Sequence, residues 1–600
     1  MNHISGHFRS QWIWLLGVLV VLSGCTDSIE SVFNKRPVAL MKGPDTGVTQ
    51  TELSFDGRDS YDDDGDSLSY QWSIETPTGS SVVLEPDTDS VVSFLADVPG
   101  EYQLSLVVND GKSDSRPVAS MVTVTESEVP PPVVSDVSVD LRNGDTATAG
   151  QIITFAQVFA ESAFNTDDQL LLVDDEGVSI PLQKDVKAQY ANGSLKHVML
   201  TGRTPEMAAN ELKSYTLAKA TEGLTGSTLT LQDFLVSDWQ AAIELVLDGQ
   251  NWSVNVKDAL ENGQPWMAGP LASEWVGSLP FANDGGMTHP HLTAHVQVRV
   301  LDQGNNIRTS ITVENNFAFE DRPKNQTYDV TVSINDAVVF EQQDLTQIRH
   351  SRWRFTHWMD AVEVMAEQDP GYLMALGVIP NYDPALIHAI DGNKINQYQE
   401  DWQDELVIRA VNDAGYTVDP NEQGAHVFSY NKIGPMGIGF ANPAMPTTGA
   451  RDDIGPLPTW GAIYALNPQV TTRKVMLGMG DTAASWPIHY RDKETGLPVS
   501  IEDYPYVSNI WNVSASNNPN TGENEHVALC EDDIEFCVLP YRPDTSHQPS
   551  LAFLPYLVTG DFFYLEELHF WANYNFVSMN PSYRQLDKGL FAGDMQDRAQ

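Results

Sequence analysis

The chain is short of cysteine and of positive charge. Only Cys25, Cys530 and Cys537 occur in 600 residues, and 34 Lys+Arg face 82 Asp+Glu, a net charge of −48. Such a chain repels backbone phosphates, so no nucleic-acid partner is expected. The acidity suits solubility in salty water, where counterions screen self-repulsion. Several chemical signatures are missing too. There is no phosphate-binding P-loop, no strand–GxGxxG–helix unit, no HExxH and no GxSxG elbow. Nucleotide chemistry and hydrolase triads are therefore disfavoured. The apolar run near the start, Trp12 to Leu22, is too short for a comfortable membrane span.

That run follows a short basic start (His7, Arg9) and ends in Leu22-Ser23-Gly24-Cys25. The pattern resembles a bacterial lipoprotein signal, with residues 1–24 removed and Cys25 as the lipid-bearing first residue. The resemblance implies a tethered protein, held by lipid and not spanning, that folds outside the cytoplasm. Thr26 lacks the Asp of an inner-membrane retention signal, which favours the outer membrane. Residues 25–35 form a polar tether. Outside the cytoplasm, Cys530 and Cys537, which flank a short acidic loop, read as a disulfide. A metal pair is disfavoured because no His or third Cys lies close by.

From Arg36 the chain alternates in short strands. Leu68, Tyr70 and Trp72 share one face, Tyr102, Leu104 and Leu106 another, and Asn109-Asp110-Gly111 makes a turn. This describes a small β-sandwich over 36–126. The segments SFDGRDSYDDDGDSLSYQW and FLADVPGEYQLSLVVNDGKSDS resemble a PKD domain, an Ig-like fold. The resemblance implies a spacer or weak polymer-binding module. Asp62, Asp63, Asp64 and Asp66 are candidate calcium ligands, but their spacing is not that of an EF-hand loop, which favours an Asx-rich turn that caps backbone amides. No cofactor is required, and calcium is the one ion this allows for. Pro130-Pro131-Pro132 marks a semi-rigid linker over 127–134.

Residues 135–350 read as a large antiparallel β-domain, a barrel or two packed sheets. Val296, Val298 and Val300 oppose His295, Gln297 and Arg299; after the turn at Asp302–Asn305, Ile307, Thr309, Ile311 and Val313 alternate with Arg308, Ser310, Thr312 and Glu314. This is a hairpin with one polar face. Residues 351–455 read as an irregular junction, and 456–600 as helical. Ser550 and Gly560 bracket one helix. Asp561 caps the next, with Phe562, Leu565, Leu568 or His569, and Ala572 near helical spacing.

A second resemblance rests on Tyr190-Ala191-Asn192-Gly193-Ser194-Leu195-Lys196-His197 with ELKSYTL, and on the hairpin SHQPSLAFLPYLVTGDFFYLEELHFWANYN. These are similar to exo-rhamnogalacturonan lyase and YetA-like proteins, in which a β-barrel precedes an (α/α) toroid. Too few helices are legible for a full toroid, and the last residues read as the start of another helix. We therefore expect the toroid to continue past Gln600.

The resemblance implies polysaccharide chemistry. Proton abstraction α to a uronate carboxylate needs a base, a proton donor and a cation. His489, Tyr490 and Arg491 supply those types, with Arg451 and His547 as further catalytic candidates. Arg354, His357, Trp353, Trp358, Trp486 and Asn573 are candidates for holding substrate: Arg grips a carboxylate, and Trp covers a sugar face. Each also suits an ordinary structural role, Arg451 in an ion pair with a neighbouring Asp. Asp452, Asp453, Asp492 and Asp544 leave a hydrolase open. His289, His291 and His295 are a weaker metal trio, because no carboxylate ligand stands nearby in sequence. The expected partner is an extracellular polysaccharide, with β-elimination ahead of hydrolysis. A non-catalytic glycan-binding scaffold remains the rival.

Overall fold

The computed structural model describes residues 34–49, 52–84, 87–125, 137–403, 405–443, 451, 453–510, 512–527, 538–543, 545 and 547–589. Cys25, the proline linker, Cys530, Cys537, Asp452 and Asp544 lie outside the described residues. The chain divides into two compact units, Met1–Val129 and Pro130–Gln600. Among the described residues, no helix is long and apolar enough to cross a membrane.

In the first unit, Thr46–Val48, Val118–Thr125, Gly100–Asn109 and Ser69–Glu75 form a four-stranded sheet, and Glu52–Asp56 pairs with Val91–Leu95. Alternation places Trp72, Tyr102, Leu104 and Leu106 in one core with Phe55 and Phe94. The Trp72 Nε1 donates to the Asp89 carbonyl at 2.8 Å, so its one polar atom is satisfied inside the core.

The second unit contains two antiparallel sheets that each nearly close on themselves. The seven-stranded sheet runs Met365–Gln368, Ser138–Arg142, Leu212–Ala220, Gln169–Val173, Ser179–Gln189, Leu195–Arg203, Ile152–Val158. Its two end strands approach each other, and the Gln368 amide donates to the Ala156 carbonyl at 2.8 Å across the gap. The larger sheet begins with Ala337–Gln347, Gln326–Ile334, Ala241–Leu247 and Gln250–Asn255. It continues with β1 (Ala272–Asn283), β2 (Thr288–Leu301), β3 (Asn306–Asn315) and β4 (Ser351–Trp358). Here too the first and last strands come together. The β region does not end at residue 350: β4 pairs with β3 along its whole length, and Met365–Gln368 pairs with Ser138–Arg142.

Helices then cover this framework: Thr459–Leu466, α1 (Val470–Asp481), α2 (Phe553–Thr559) and α3 (Phe562–Val577). Gly560, at φ 65°, ends α2, and the Asp561 side chain accepts from the Phe563 amide to begin α3. Ser550 does not cap α2, which starts three residues later at Phe553. The buried stripe of α3 is also not Phe562, Leu565, Leu568 and Ala572. It is Phe563, Tyr564, Glu566, Glu567, Phe570, Tyr574 and Val577. Two glutamates turn inward because the surface beneath them carries their counter-ions.

Candidate functional site

Strand alternation sorts the side chains of β2–β4 onto two faces. Val296, Val298, Val300, Ile311, Val313 and Trp353 enter the barrel core. The other face is polar. Glu274, Arg299, Arg308 and Trp358 stand in one row across the four strands. Ser278, His295, Thr312 and Arg354 form another row, and Glu314 sits opposite Arg352. Such a face ordinarily meets water. Here Glu274, Arg299, Arg308, Glu314 and Arg352 are all buried.

The cover is α3 together with the segment 486–497. Asp561 works with both oxygens: one caps α3, and the other receives Arg308 and, at 2.8 Å, Arg354. Glu566 accepts from Arg352 at 2.8 Å and from Arg491 at 2.7 Å. Arg491 also grips Glu314 with two nitrogens, at 2.7 and 2.8 Å. Glu567 meets His489 at 2.8 Å and the Arg352 Nε at 3.1 Å. Arg299 donates twice to Glu274, at 3.0 and 2.8 Å. Burial alone would raise the Glu566 pKa, but Arg491 and Arg352 outweigh it and hold the carboxyl at about 2. Against the same opposition from burial, Arg308 and Arg354 hold Asp561 far below the usual carboxylate range.

Two cavities border this polar face. The first, about 630 Å³, is lined by Arg299, Arg354, Trp358, Arg473, Lys474 and Asp481 among others. Asp481 projects into it with its side chain 40% exposed, 3.2 Å from Arg354 and 3.0 Å from the Tyr564 hydroxyl. Desolvation raises the Asp481 pKa against the pull of Arg354. The second cavity, about 400 Å³, is lined by His295, Gln297, Thr312, Arg352, Arg491 and Glu566 among others. His295, Glu314 and Glu566 present their ligand atoms within 4.8 Å of one another. A cation there would compete with two guanidiniums already bound to those carboxylates.

The segment Arg352–Trp358 is split by its own strand geometry. Arg354 and Trp358 reach the first cavity from the polar face. Trp353 donates to the Tyr328 hydroxyl at 2.7 Å within the barrel core, and His357 is half-buried beside Phe355. Arg354 is also fully engaged, by Ser310, Asp481 and Asp561.

The expected catalytic triplet is brought together in packing positions. His489 is fully buried with both ring nitrogens occupied, by Glu567 and the Trp486 carbonyl. Tyr490 is buried, its hydroxyl accepts from Asn509, and burial pushes its pKa up to about 12. Arg491 lines the second cavity. Arg451 forms a two-pronged pair with Asp453, at 2.9 and 2.6 Å. Trp486 is buried against Tyr541 and Trp571, and the buried Asn573 Nδ2 sits on α3 without a hydrogen bond. His547 is half-buried ahead of α2. Asp492 caps its own turn through Glu494 and Thr495.

In the first unit, one Asp62 oxygen accepts from the amides of Asp64 and Asp66; Asp64 receives the Lys35 amide, and Asp66 pairs with Lys112 at 2.6 Å. His289 Nδ1 accepts from the amides of His291 and Leu292, so it shapes the start of β2. Sequence spacing could not find Glu314, Asp481, Asp561, Glu566 or Arg473, because their partners are remote in the chain. One signal was present: two adjacent glutamates inside an otherwise aromatic helix.

Residues 42–125 match a family of PKD domains, so the first unit contains a PKD domain. Collagenase ColA of Clostridium perfringens (strain 13 / Type A) is 27% identical over 119 residues, which is 20% of this chain and 10% of that protein. The chain thus matches only a tenth of that relative's length. Among solved structures, a glycosyl hydrolase family 38 protein from Enterococcus faecalis is 11% identical over 34% of this chain and 33% of its own, at a TM-score of 0.21. A carbohydrate-binding module from the β-sandwich superfamily is 12% identical over 31% of this chain and 97% of its own, at a TM-score of 0.14.

Proposed function

We propose that this protein recognises and cuts an acidic, uronate-bearing extracellular polysaccharide while tethered to the outer membrane through Cys25. The observation that carries this reading is the lining of the first cavity. In a chain of net charge −48, Arg473 and Lys474 line it together with Trp358, beside Arg299 and Arg354, whose charges are already met by Glu274, Asp481 and Asp561. Cations concentrated in a concave site select anions, and an indole face suits the apolar side of a pyranose. A uronate carboxylate held by cations favours β-elimination, because the same charges stabilise the enolate-like state. Hydrolysis is the second reading, since Glu363 and Asp481 line the same cavity as two carboxylates. The helices from Thr459 onward would then belong to an (α/α) toroid beside the barrel.

Affinity electrophoresis through gels containing polygalacturonate or a neutral glucan tests the reading. We expect retardation by the acidic polymer alone, weakened by salt and lost in Arg473→Glu/Lys474→Glu. Equal mobility in both gels would overturn it. Unsaturated uronate ends among the products identify elimination, and new reducing ends alone identify hydrolysis.

A further inference from the structure

The second cavity, of about 400 Å³, has uncharged hydrogen-bonding groups on its floor that the protein itself leaves unused. The floor belongs to the polar face of β1–β3. Thr312 and Gln297 are each 5% exposed, and both line the cavity. The Gln297 Nε2 donates to Glu274 at 2.9 Å, while its Oε1 has no hydrogen-bond partner among the described residues. The Thr312 hydroxyl has none there either, and neither atom is sealed off from solvent. Each therefore opens into the cavity. Buried polar groups are ordinarily paired within the fold. Ser278, on β1, adds an exposed hydroxyl at the cavity edge.

The charged groups around that floor are already matched. Arg352 meets Glu314, Glu566 and Glu567, and Arg491 meets Glu314 and Glu566. At the rim, Asp258 and Glu261 are exposed and make no ion pair among the described residues. Their field repels a carboxylate. The rim is thus opposite in sign to the first cavity, which Arg473 and Lys474 line. One side of the second cavity is apolar. Phe562 is half-buried with its ring edge-on to Trp266, 5.1 Å between centroids, and Leu497 is 63% exposed. An uncharged ligand with hydroxyls along its edge and C–H groups on its face matches both sides, and a neutral pyranose is such a ligand.

We propose that the second cavity binds a neutral sugar unit of a glycan, at a site separate from the uronate site of the first cavity. Sugar hydroxyls donate to Gln297 Oε1 and exchange hydrogen bonds with the Thr312 hydroxyl, which both donates and accepts. The C–H face of the ring lies against Phe562 and Leu497. Asp258 and Glu261 turn a uronate away. An ammonium gains little, because the buried carboxylates already hold guanidiniums and the rim carboxylates are solvated. The site stands on its own lining and does not depend on cleavage of an acidic polymer.

Saturation-transfer NMR on the full-length protein, titrated with the methyl glycosides of galactose, glucose and mannose, tests the site. The matching uronates and 2-amino sugars are compared in Arg473→Glu/Lys474→Glu, which disables the first cavity. We expect at least one neutral glycoside to bind saturably, and equally well in that variant. Its uronate should bind about 10-fold more weakly or worse, and its 2-amino analogue no more tightly. Thr312→Val should weaken the neutral glycoside about 3- to 10-fold. Ser278→Trp changes an exposed edge position, so it should block the cavity and abolish binding at an unchanged melting temperature. Should Thr312→Val fail to fold, Ser278→Trp carries the test. The proposal is overturned if no neutral glycoside binds, or if Ser278→Trp leaves binding intact. It is equally overturned if Arg473→Glu/Lys474→Glu abolishes binding, or if the uronate or amino sugar is preferred in that variant. Retardation by polygalacturonate without neutral binding sinks this proposal alone; neutral binding without retardation sinks only the preceding one.

Discussion

Arg352 of the sheet and Glu566 of the covering helix meet at 2.8 Å, with neither side chain more than a tenth exposed. Their contact fastens α3 to a sheet face that is mostly polar. A buried pair of this kind contributes little over a hydrophobic pair, yet removing one partner strands the other.

Arg352→Ala should therefore destabilise the second unit by about 3–5 kcal/mol. Arg352→Met/Glu566→Met should recover part of that loss. Urea denaturation followed by tryptophan fluorescence measures both, and a single variant as stable as the parent would contradict the role assigned to the pair.

Acid should loosen the second unit in two stages. Burial lowers His289 from 6.5 to about 4, so its contribution is present above the unfolded value and is lost as pH falls through that window. Glu566 is lowered from 4.5 to about 2 by Arg491 and Arg352 against the effect of burial, so its contribution is lost below about pH 4.5 and is gone near 2. Melting temperatures recorded from pH 7 to pH 2.5 should fall first with the histidine and then more steeply with the carboxylate.

Gly560→Ala should cost about 2–4 kcal/mol. The residue sits at φ 65°, and an added Cβ would lie 2.4 Å from the Met199 Cγ and 3.3 Å from the Ala156 Cβ. Left-handed backbone strain and overpacking then add. Thermal unfolding of the variant checks this.

Trp72→Ala should unfold the first unit, at a cost of about 3–5 kcal/mol, while the transition of the second unit persists. Calorimetry of the full chain should show one transition shifted or lost and the other retained.

The sequence and the structure agree wherever neighbouring residues decide the outcome. The period-two alternation through Val296–Val313 is the observed strand pattern, and Gly560-Asp561 divides α2 from α3 as their backbone chemistry requires. They part where burial depends on remote partners. A glutamate pair on a helix reads as solvent-facing, so spacing alone places Glu566 and Glu567 on the wrong side. Likewise His489, Tyr490 and Arg491 suggest chemistry by type, while Glu567, Asn509 and Glu314 take up their polar atoms.

Asp561 serves at once as the first-turn cap of α3 and as the counter-ion of Arg308 and Arg354. Helix initiation and docking thus share one side chain. A peptide cut out around α3 would keep the cap, whose donor is the Phe563 amide two residues on, and would lose the two guanidiniums that neutralise the same carboxylate.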